Sequence, residues 1–221
     1  MSRERGIALN KALDHIALEE GFSTWSLLSA TATISTPSSR LLYQLAPGDL
    51  VLLGARPGHG KTMMGLKMIV DAIKLGRRGM FFTLEFTEED VLSRIRDVGG
   101  DPALLGELFD FDNSDAINAD YIIDRMTGAQ SGTVIVIDYL QLLDQKRDNP
   151  ELMQQVRALK SFAGENGLIV VFISQIDRAY DPSLKPCPDL ADVRLPNPLD
   201  LTLFDKSCFL NNGRVELQLS A

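Results

Sequence analysis

The sequence predicts an α/β domain with a mainly parallel β-sheet, and three observations support this fold class. Short apolar runs, typical of strands buried on both faces, alternate with longer segments of helical periodicity. A Gly- and Pro-rich loop follows the first apolar run and leads directly into a helical pattern. Polar residues stand at the ends of several apolar runs, and ligands bind at the carboxyl ends of strands in open α/β sheets.

The composition is that of an ordinary globular protein. Of the 221 residues, 45% are hydrophobic and 24% are charged, and the formal net charge is −8. This acidic balance argues against a generally basic surface, although local loops could still bind nucleic acid. Without a leader pattern or a long apolar run, we expect a cytoplasmic protein with no membrane span. Cys187 and Cys208 lack metal-ligand spacing, so we expect free thiols.

Residues 1–39 are predicted to form a short helical hairpin and a linker, ahead of a core domain at residues 40–221. Apolar residues recur at helical spacing in the first half of this segment. Phe22 and Trp25 follow, and we expect them to pack on the core; the alternative is that they bind a protein partner or a second copy. Residues 31–39 are rich in Ser, Thr and Pro, which is typical of a linker.

The loop after the first core strand has the pattern of a phosphate-binding loop. It consists of Ala55, Arg56, Pro57, Gly58, His59, Gly60, Lys61 and Thr62. Free backbone N–H groups at the start of the following helix favour an anion there. Lys61 is predicted to reach the β- and γ-phosphates, and the Thr62 hydroxyl to ligate magnesium. Ala55 stands where the usual pattern has Gly, so the strict motif fails by one methyl group.

The next predicted elements bring acidic residues to strand ends. A strand over residues 80–84 ends in Glu85, and Thr87 caps the helix that follows. We expect a third strand at residues 108–111 and a helix at residues 117–126. The β-branched run at residues 134–137 then ends in Asp138.

The last part of the core contains a helix, a buried strand, a long loop and a hairpin. The helix is predicted at residues 148–165, and the strand at residues 168–173 is followed by Ser174 and Gln175. A polar loop with five prolines covers residues 176–198, and a loop of this length is usually functional or mobile. Asn212-Gly213 lies between two alternating runs, which predicts a β-hairpin.

Three polar residues at these strand ends suit nucleotide chemistry. Asp138 has the position of an acid that organises Mg²⁺, although a strand-end Asp can also simply cap a turn. Glu85 could act as a general base that orients the attacking water. Gln175 could sense the γ-phosphate, or it could be an ordinary polar strand terminus. His59 either touches a phosphate or the loop backbone, or faces solvent.

Taken jointly, these motifs resemble the ATPase domain of DnaB-type replicative DNA helicases, within the RecA-like superfamily. The resemblance rests on the phosphate loop with its leading Ala and on four further segments in the family's order: residues 82–86, 135–142, 173–178 and 192–194. It implies a RecA-like core that binds ATP and Mg²⁺, with Glu85, Lys61 and Gln175 as catalytic residues and Thr62 and Asp138 at the metal. It also implies single-stranded DNA as a partner and a homo-oligomeric ring.

The chain departs from that family at its C-terminal hairpin. The family's hairpin carries a Lys and an Arg that reach the neighbour's nucleotide site, whereas residues 209–214 lack this pair and only Lys206 and Arg214 are nearby. Loss of such a finger predicts slow intrinsic hydrolysis. The alternative function is a nucleotide-dependent switch or partner-binding ATPase without helicase activity. A small-molecule kinase is disfavoured because no arginine-rich lid is evident.

Overall fold

The computed structural model describes residues 36–144, 149–195 and 197–219, which form one β-sheet with helices on both faces. The strands are β1 (Leu50–Ala55), β2 (Gly79–Thr83), β3 (Phe109–Asp112), β4 (Val134–Asp138), β5 (Ile169–Gln175), β6 (Lys206–Asn211) and β7 (Arg214–Leu219). The helices are α1 (Pro37–Tyr43), α2 (Lys61–Lys74), α3 (Glu88–Asp97), α4 (Pro102–Leu105), α5 (Ala119–Met126) and α6 (Leu152–Asn166).

The sheet is parallel except at one edge. Its strand order is β3-β2-β4-β5-β1-β6-β7, and only the β6–β7 pair is antiparallel among the described strands. The predicted mainly parallel fold and the predicted C-terminal hairpin are therefore confirmed. The register places Ala55 opposite Gln175, and Thr83 opposite Asp138. The carboxyl ends of the central strands thus meet at one edge of the sheet.

The core consists of two apolar layers, one on each face of the sheet. Alternate strand residues point to opposite faces, so Leu50 and Leu52 join one layer while Val51 and Leu53 join the other. All six residues of β1 and all five of β4 are buried. Burial on both faces explains why these strands read as continuous apolar runs in the sequence.

The start of the core differs from the sequence prediction. Helix α1 begins at Pro37, with the Thr36 side chain accepting a hydrogen bond from the Ser39 backbone N–H. Ser38 is buried, and its hydroxyl donates to Asp71 Oδ2 on α2 at 2.7 Å. The linker prediction is therefore wrong for residues 37–39, because this Ser-rich segment is a capped helix that packs on α2. The division at residue 39 stays a prediction, and Phe22 and Trp25 lie outside the described residues.

Other boundaries shift for local reasons. Helix α5 starts at Ala119 rather than residue 117, because the Asn118 side chain accepts from the Tyr121 N–H and caps it. Helix α6 starts at Leu152 rather than at residue 148. The short helix α4 was not predicted, and Asp101 is its N-cap. Thr87 caps α3 as predicted, in a reciprocal capping box with its third helical residue.

Two expectations from composition concern the cysteines and the membrane. Cys187 and Cys208 are both buried free thiols, as predicted. Within the three described ranges, every helix is too short or too polar to cross a bilayer.

Candidate nucleotide-binding site

The predicted phosphate-binding loop, residues 55–62, joins the buried strand β1 to helix α2. Gly60 is the N-cap of α2 and has a φ of 84°, a left-handed conformation that favours glycine. Lys61 and Thr62 are the first two residues of the helix, and both are partly accessible. The loop backbone therefore opens onto the N-terminus of α2, where N–H groups are free to bind an anion.

The structure explains why Ala can stand at position 55, where the usual phosphate-loop pattern has Gly. Ala55 is the last residue of β1, it is fully buried, and its methyl group belongs to the apolar layer that contains α2. The position is thus part of the strand rather than of the exposed loop. A methyl group is accommodated there without blocking the loop's opening.

Thr62 and Asp138 are brought together across the sheet edge. The Thr62 hydroxyl donates to Asp138 Oδ2 at 2.8 Å. The approach of α2 to β4 depends on Gly65, where an added Cβ would lie 2.9 Å from Val136 Cγ1. A small residue one turn into α2 therefore lets the helix start sit over the end of β4.

Asp138 is 1% exposed, and the pKa of its carboxyl is raised to about 6. Burial is the main cause, because it disfavours the charged form, and the negative charge of Glu85 adds to it. The hydrogen bond from Thr62 and the positive charge of Lys61 act in the opposite direction. The site therefore contains a buried acid whose charge the protein only partly compensates.

Glu85 lies just beyond the end of β2 and is exposed. Its backbone N–H donates to the buried Thr83 hydroxyl at 3.0 Å, which fixes the turn that carries it. Arg94 on α3 stacks over the Phe86 ring at 4.0 Å from its centroid. Arg94 also lowers the Asp138 pKa, so its positive charge acts on the same site.

Gln175 is the last residue of β5 and lies beside Arg194. Its backbone carbonyl accepts from the Arg194 N–H at 2.8 Å, and its side-chain oxygen accepts from Arg194 Nη1 at 3.5 Å. The Gln141 amide donates to the Arg194 carbonyl at 2.9 Å. Gln175 therefore belongs to a hydrogen-bonded group of three residues at the sheet edge.

The His59 side chain contacts the C-terminal hairpin. Its Nδ1 accepts a hydrogen bond from the Asn212 backbone N–H at 3.4 Å, at the tip of the β6–β7 hairpin. Asn211, next to it, is buried and donates to the Pro186 carbonyl at 2.8 Å. The hairpin tip thus links the phosphate-binding loop to the long loop after β5.

The long loop is ordered by its own contacts. Ile176 and Val193 form a bridge at its base. Lys185 pairs with Asp189 at 2.7 Å and with Asp192 at 2.5 Å, and these bonds raise the pKa of Lys185. Lys185 is therefore paired with two carboxylates of its own loop.

Of the two cations near the hairpin, Lys206 pairs with Asp49, close to the start of β1 and far along the sheet from the phosphate-binding loop. Arg214 begins β7 and is exposed. Arg214 is therefore the cation of the two that stands beside the hairpin tip.

Three residues of the site were missed by the sequence reasoning. Arg94 could have been found from its helical spacing, because it lies four residues after Asp90 on the helix that Thr87 caps. Gln141 and Asn212 give no comparable signal, since their partners are 53 and 153 residues away. Across the described ranges, no cluster of three His, Cys, Asp or Glu residues could hold a metal ion.

Residues 109–197, which carry Asp138, Gln175 and Arg194, match the model of the DnaB-like helicase C-terminal domain. This part of the chain is therefore similar to the C-terminal domain of DnaB-like helicases.

Two solved structures share the fold of this chain. One is described as an ATPase domain; it has a TM-score of 0.63 at 20% identity, and the match covers 94% of this chain and 84% of that one. The other is a DnaB-like replicative helicase, described with its interactions with primase. It has a TM-score of 0.65 at 19% identity, and the match covers 98% of this chain and 62% of that one.

The curated proteins to which this chain is similar include replicative DNA helicases. A probable plasmid replicative DNA helicase of Chlamydia muridarum is 28% identical over 181 residues, which cover 68% of this chain and 40% of the relative. The replicative DNA helicase DnaB of Treponema pallidum is 24% identical over 257 residues, covering 99% of this chain and 57% of the relative. This chain thus spans about half the length of these relatives.

Proposed function

We propose that this domain binds and hydrolyses ATP with Mg²⁺, and that it acts as the motor of a helicase on single-stranded DNA. The observation that carries the proposal is the contact between Thr62 and Asp138 at the mouth of the phosphate-binding loop. It places a hydroxyl and a buried carboxylate side by side, next to a helix N-terminus suited to phosphate. The similarity to DnaB-like helicases supports a helicase over a switch without helicase activity.

The donor set suits Mg²⁺. Thr62 and Asp138 offer only oxygen atoms, which this hard cation prefers, and Mg²⁺ is commonly held by one or two side chains together with nucleotide phosphates. The partly compensated charge of Asp138 also favours a cation. When bound there with nucleotide, Mg²⁺ would neutralise charge on the β- and γ-phosphates.

The remaining side chains are assigned by position. The backbone of residues 55–62 and the Lys61 ammonium hold the phosphates. Glu85, exposed at the end of β2, accepts a proton from the attacking water and orients it. Gln175, at the end of β5, contacts the γ-phosphate and senses its loss. Arg94 supplies positive charge on the same chain.

A ring and single-stranded DNA belong to the proposal because the sequence resembles DnaB-type ATPase domains. The hairpin tip does not present a Lys–Arg pair to a neighbour, since Asn211 is turned inward and Lys206 is paired with Asp49. Hydrolysis without that finger is expected to be slow, by about 10³-fold or more relative to a completed site. Arg214 is the cation placed to compensate in part.

Two measurements test the proposal. Light scattering with a non-hydrolysable ATP analogue, with and without single-stranded DNA, should show assembly into rings. Turnover of ATP should rise when single-stranded DNA is added. If the protein is a monomer under every nucleotide condition and its ATP turnover does not change when DNA is added, the helicase-motor proposal is rejected and only an ATPase remains.

A further inference from the structure

A small cavity behind the proposed γ-phosphate sensor has an unassigned residue in its wall. Tyr139, Gln141, Gln175 and Arg194 line this space of about 220 Å³. Gln141 lies in the 3₁₀ turn that follows β4, shortly after Asp138. The cavity therefore joins the ends of β4 and β5, the two strands that carry the metal-side acid and the sensor.

Arg194 is held in this cavity by both of its neighbours. The Gln141 amide donates to the Arg194 carbonyl at 2.9 Å, while the Arg194 N–H donates to the Gln175 carbonyl at 2.8 Å. The Arg194 guanidinium reaches the Gln175 side-chain oxygen at 3.5 Å, the long limit of a hydrogen bond. Arg194 thus connects Gln141 to Gln175: its carbonyl binds Gln141, and its N–H and guanidinium bind Gln175.

The second polar atom of Gln141 points to a role beyond packing. Gln141 Oε1 is buried and has no hydrogen-bond partner among the described residues. Leaving such an acceptor unsatisfied is unfavourable, and a leucine at this position would avoid the cost. Arg194 lines the same cavity and carries five N–H donors. When Gln175 turns toward a γ-phosphate, the guanidinium loses its weak contact and can donate to Gln141 Oε1.

We propose that Gln141 is a positioning residue for the γ-phosphate sensor, Gln175. Gln141 holds the Arg194 backbone whether or not nucleotide is bound, and its Oε1 accepts a hydrogen bond from the Arg194 guanidinium when Gln175 contacts the nucleotide. This rests on the proposed ATPase function. Because Arg194 is the returning end of the loop over residues 176–195, the same movement transmits nucleotide occupancy to that loop. At the base of this loop the Asp177 N–H donates to the Asp192 carbonyl at 2.7 Å, so a movement of Arg194 also displaces the start of the loop.

Two substitutions separate this role from simple packing. Gln141→Leu removes both polar atoms at similar volume. It loses the hydrogen bond to the Arg194 carbonyl but also the unsatisfied oxygen, so its unfolding midpoint should stay close to that of the wild type. Gln141→Glu keeps the shape but replaces the donor with an acceptor that faces the Arg194 carbonyl. Gln154→Glu on α6, whose side chain is exposed, is the control for the added charge.

The readouts are steady-state ATP turnover and amide hydrogen exchange of residues 176–195, with and without a non-hydrolysable ATP analogue. Both Gln141 variants should lower kcat by about 10-fold, because the sensor is displaced, while KM changes less than about 2-fold. In the wild type the analogue should slow exchange of the loop, and in both variants it should not. The control should match the wild type in each measurement.

The results distinguish the two proposals. A wild-type protein that does not hydrolyse ATP would reject the proposed function and the sensor role with it. An active wild type, with Gln141 variants that keep kcat and the nucleotide-dependent exchange of the loop, would reject the positioning role alone. A loss of stability in Gln141→Leu without a change in kcat would show that the residue only packs.

Discussion

Replacing Asp138 with Asn should stabilise the nucleotide-free protein while abolishing the proposed ATP turnover. The pKa of Asp138 rises from 3.8 to about 6 on folding, mainly because the carboxyl is buried. Above pH 6 the folded protein carries an ionised carboxylate that is buried away from water, which lowers the free energy of unfolding by about 3 kcal/mol. The amide that Asp138→Asn introduces is isosteric and neutral, and it can still accept the hydrogen bond from Thr62.

This gain in stability depends on pH in a defined direction. Below about pH 4 the carboxyl is protonated in both folded and unfolded states, so its cost is absent. Between about pH 4 and pH 6 the folded state holds more protons than the unfolded state, and stability falls as pH rises. The gain from Asp138→Asn should therefore be about 3 kcal/mol at pH 8 and about half of that at pH 5.

Urea unfolding in the presence of EDTA and without nucleotide measures this gain. Asp71→Asn is the matched control, because Asp71 is also buried but pairs with Lys67 at 2.7 Å and accepts from Ser38. That variant should be destabilised by about 1–3 kcal/mol. If Asp138→Asn unfolds at the same or a lower urea concentration than the wild type at pH 8, the burial argument for this site is refuted.

Single contacts elsewhere in the fold give three further expectations. Gly65→Ala should lower the free energy of unfolding, measured by urea titration, by about 1–3 kcal/mol, because its Cβ would press on Val136. Gly164→Ala in α6 is the control: its Cβ meets no atom within 4 Å, so the variant should be neutral or stabilising in the same titration. Arg94→Ala should raise the Asp138 pKa further, so its stability should fall more than that of the wild type as pH rises from about 4 to 8; parallel profiles would contradict this. Asn211→Ala should lower the melting temperature, because the Pro186 carbonyl loses its donor; an unchanged midpoint would argue against this contact.

The sequence was sufficient for the features that depend on local pattern. Apolar runs located the strands, and because parallel strands share an edge, the adjacency of the phosphate-binding loop, Asp138 and Gln175 followed from their positions alone. Thr87 as a helix cap followed from its acidic successors.

Contacts between distant segments could not be predicted from the sequence. Nothing near His59 indicates that its partner is the Asn212 N–H, and nothing near Gln141 points to Arg194. Lys185 looks like an available cation in the sequence because its two partners lie in a loop whose path the sequence does not reveal. The linker prediction fails at residues 37–39 because the burial of this segment depends on an acid in another helix.

The most direct test of the proposed nucleotide site is calorimetric titration of a non-hydrolysable ATP analogue with Mg²⁺ into the wild type and Lys61→Ala. Lys61 opens helix α2 beside Thr62, so its ammonium should contribute to phosphate binding without supporting the fold. The wild type should bind one analogue per chain, and Lys61→Ala should show no measurable binding at the same concentrations while keeping the wild-type unfolding midpoint. Equal binding by both proteins would contradict the assignment of residues 55–62 as the phosphate-binding loop.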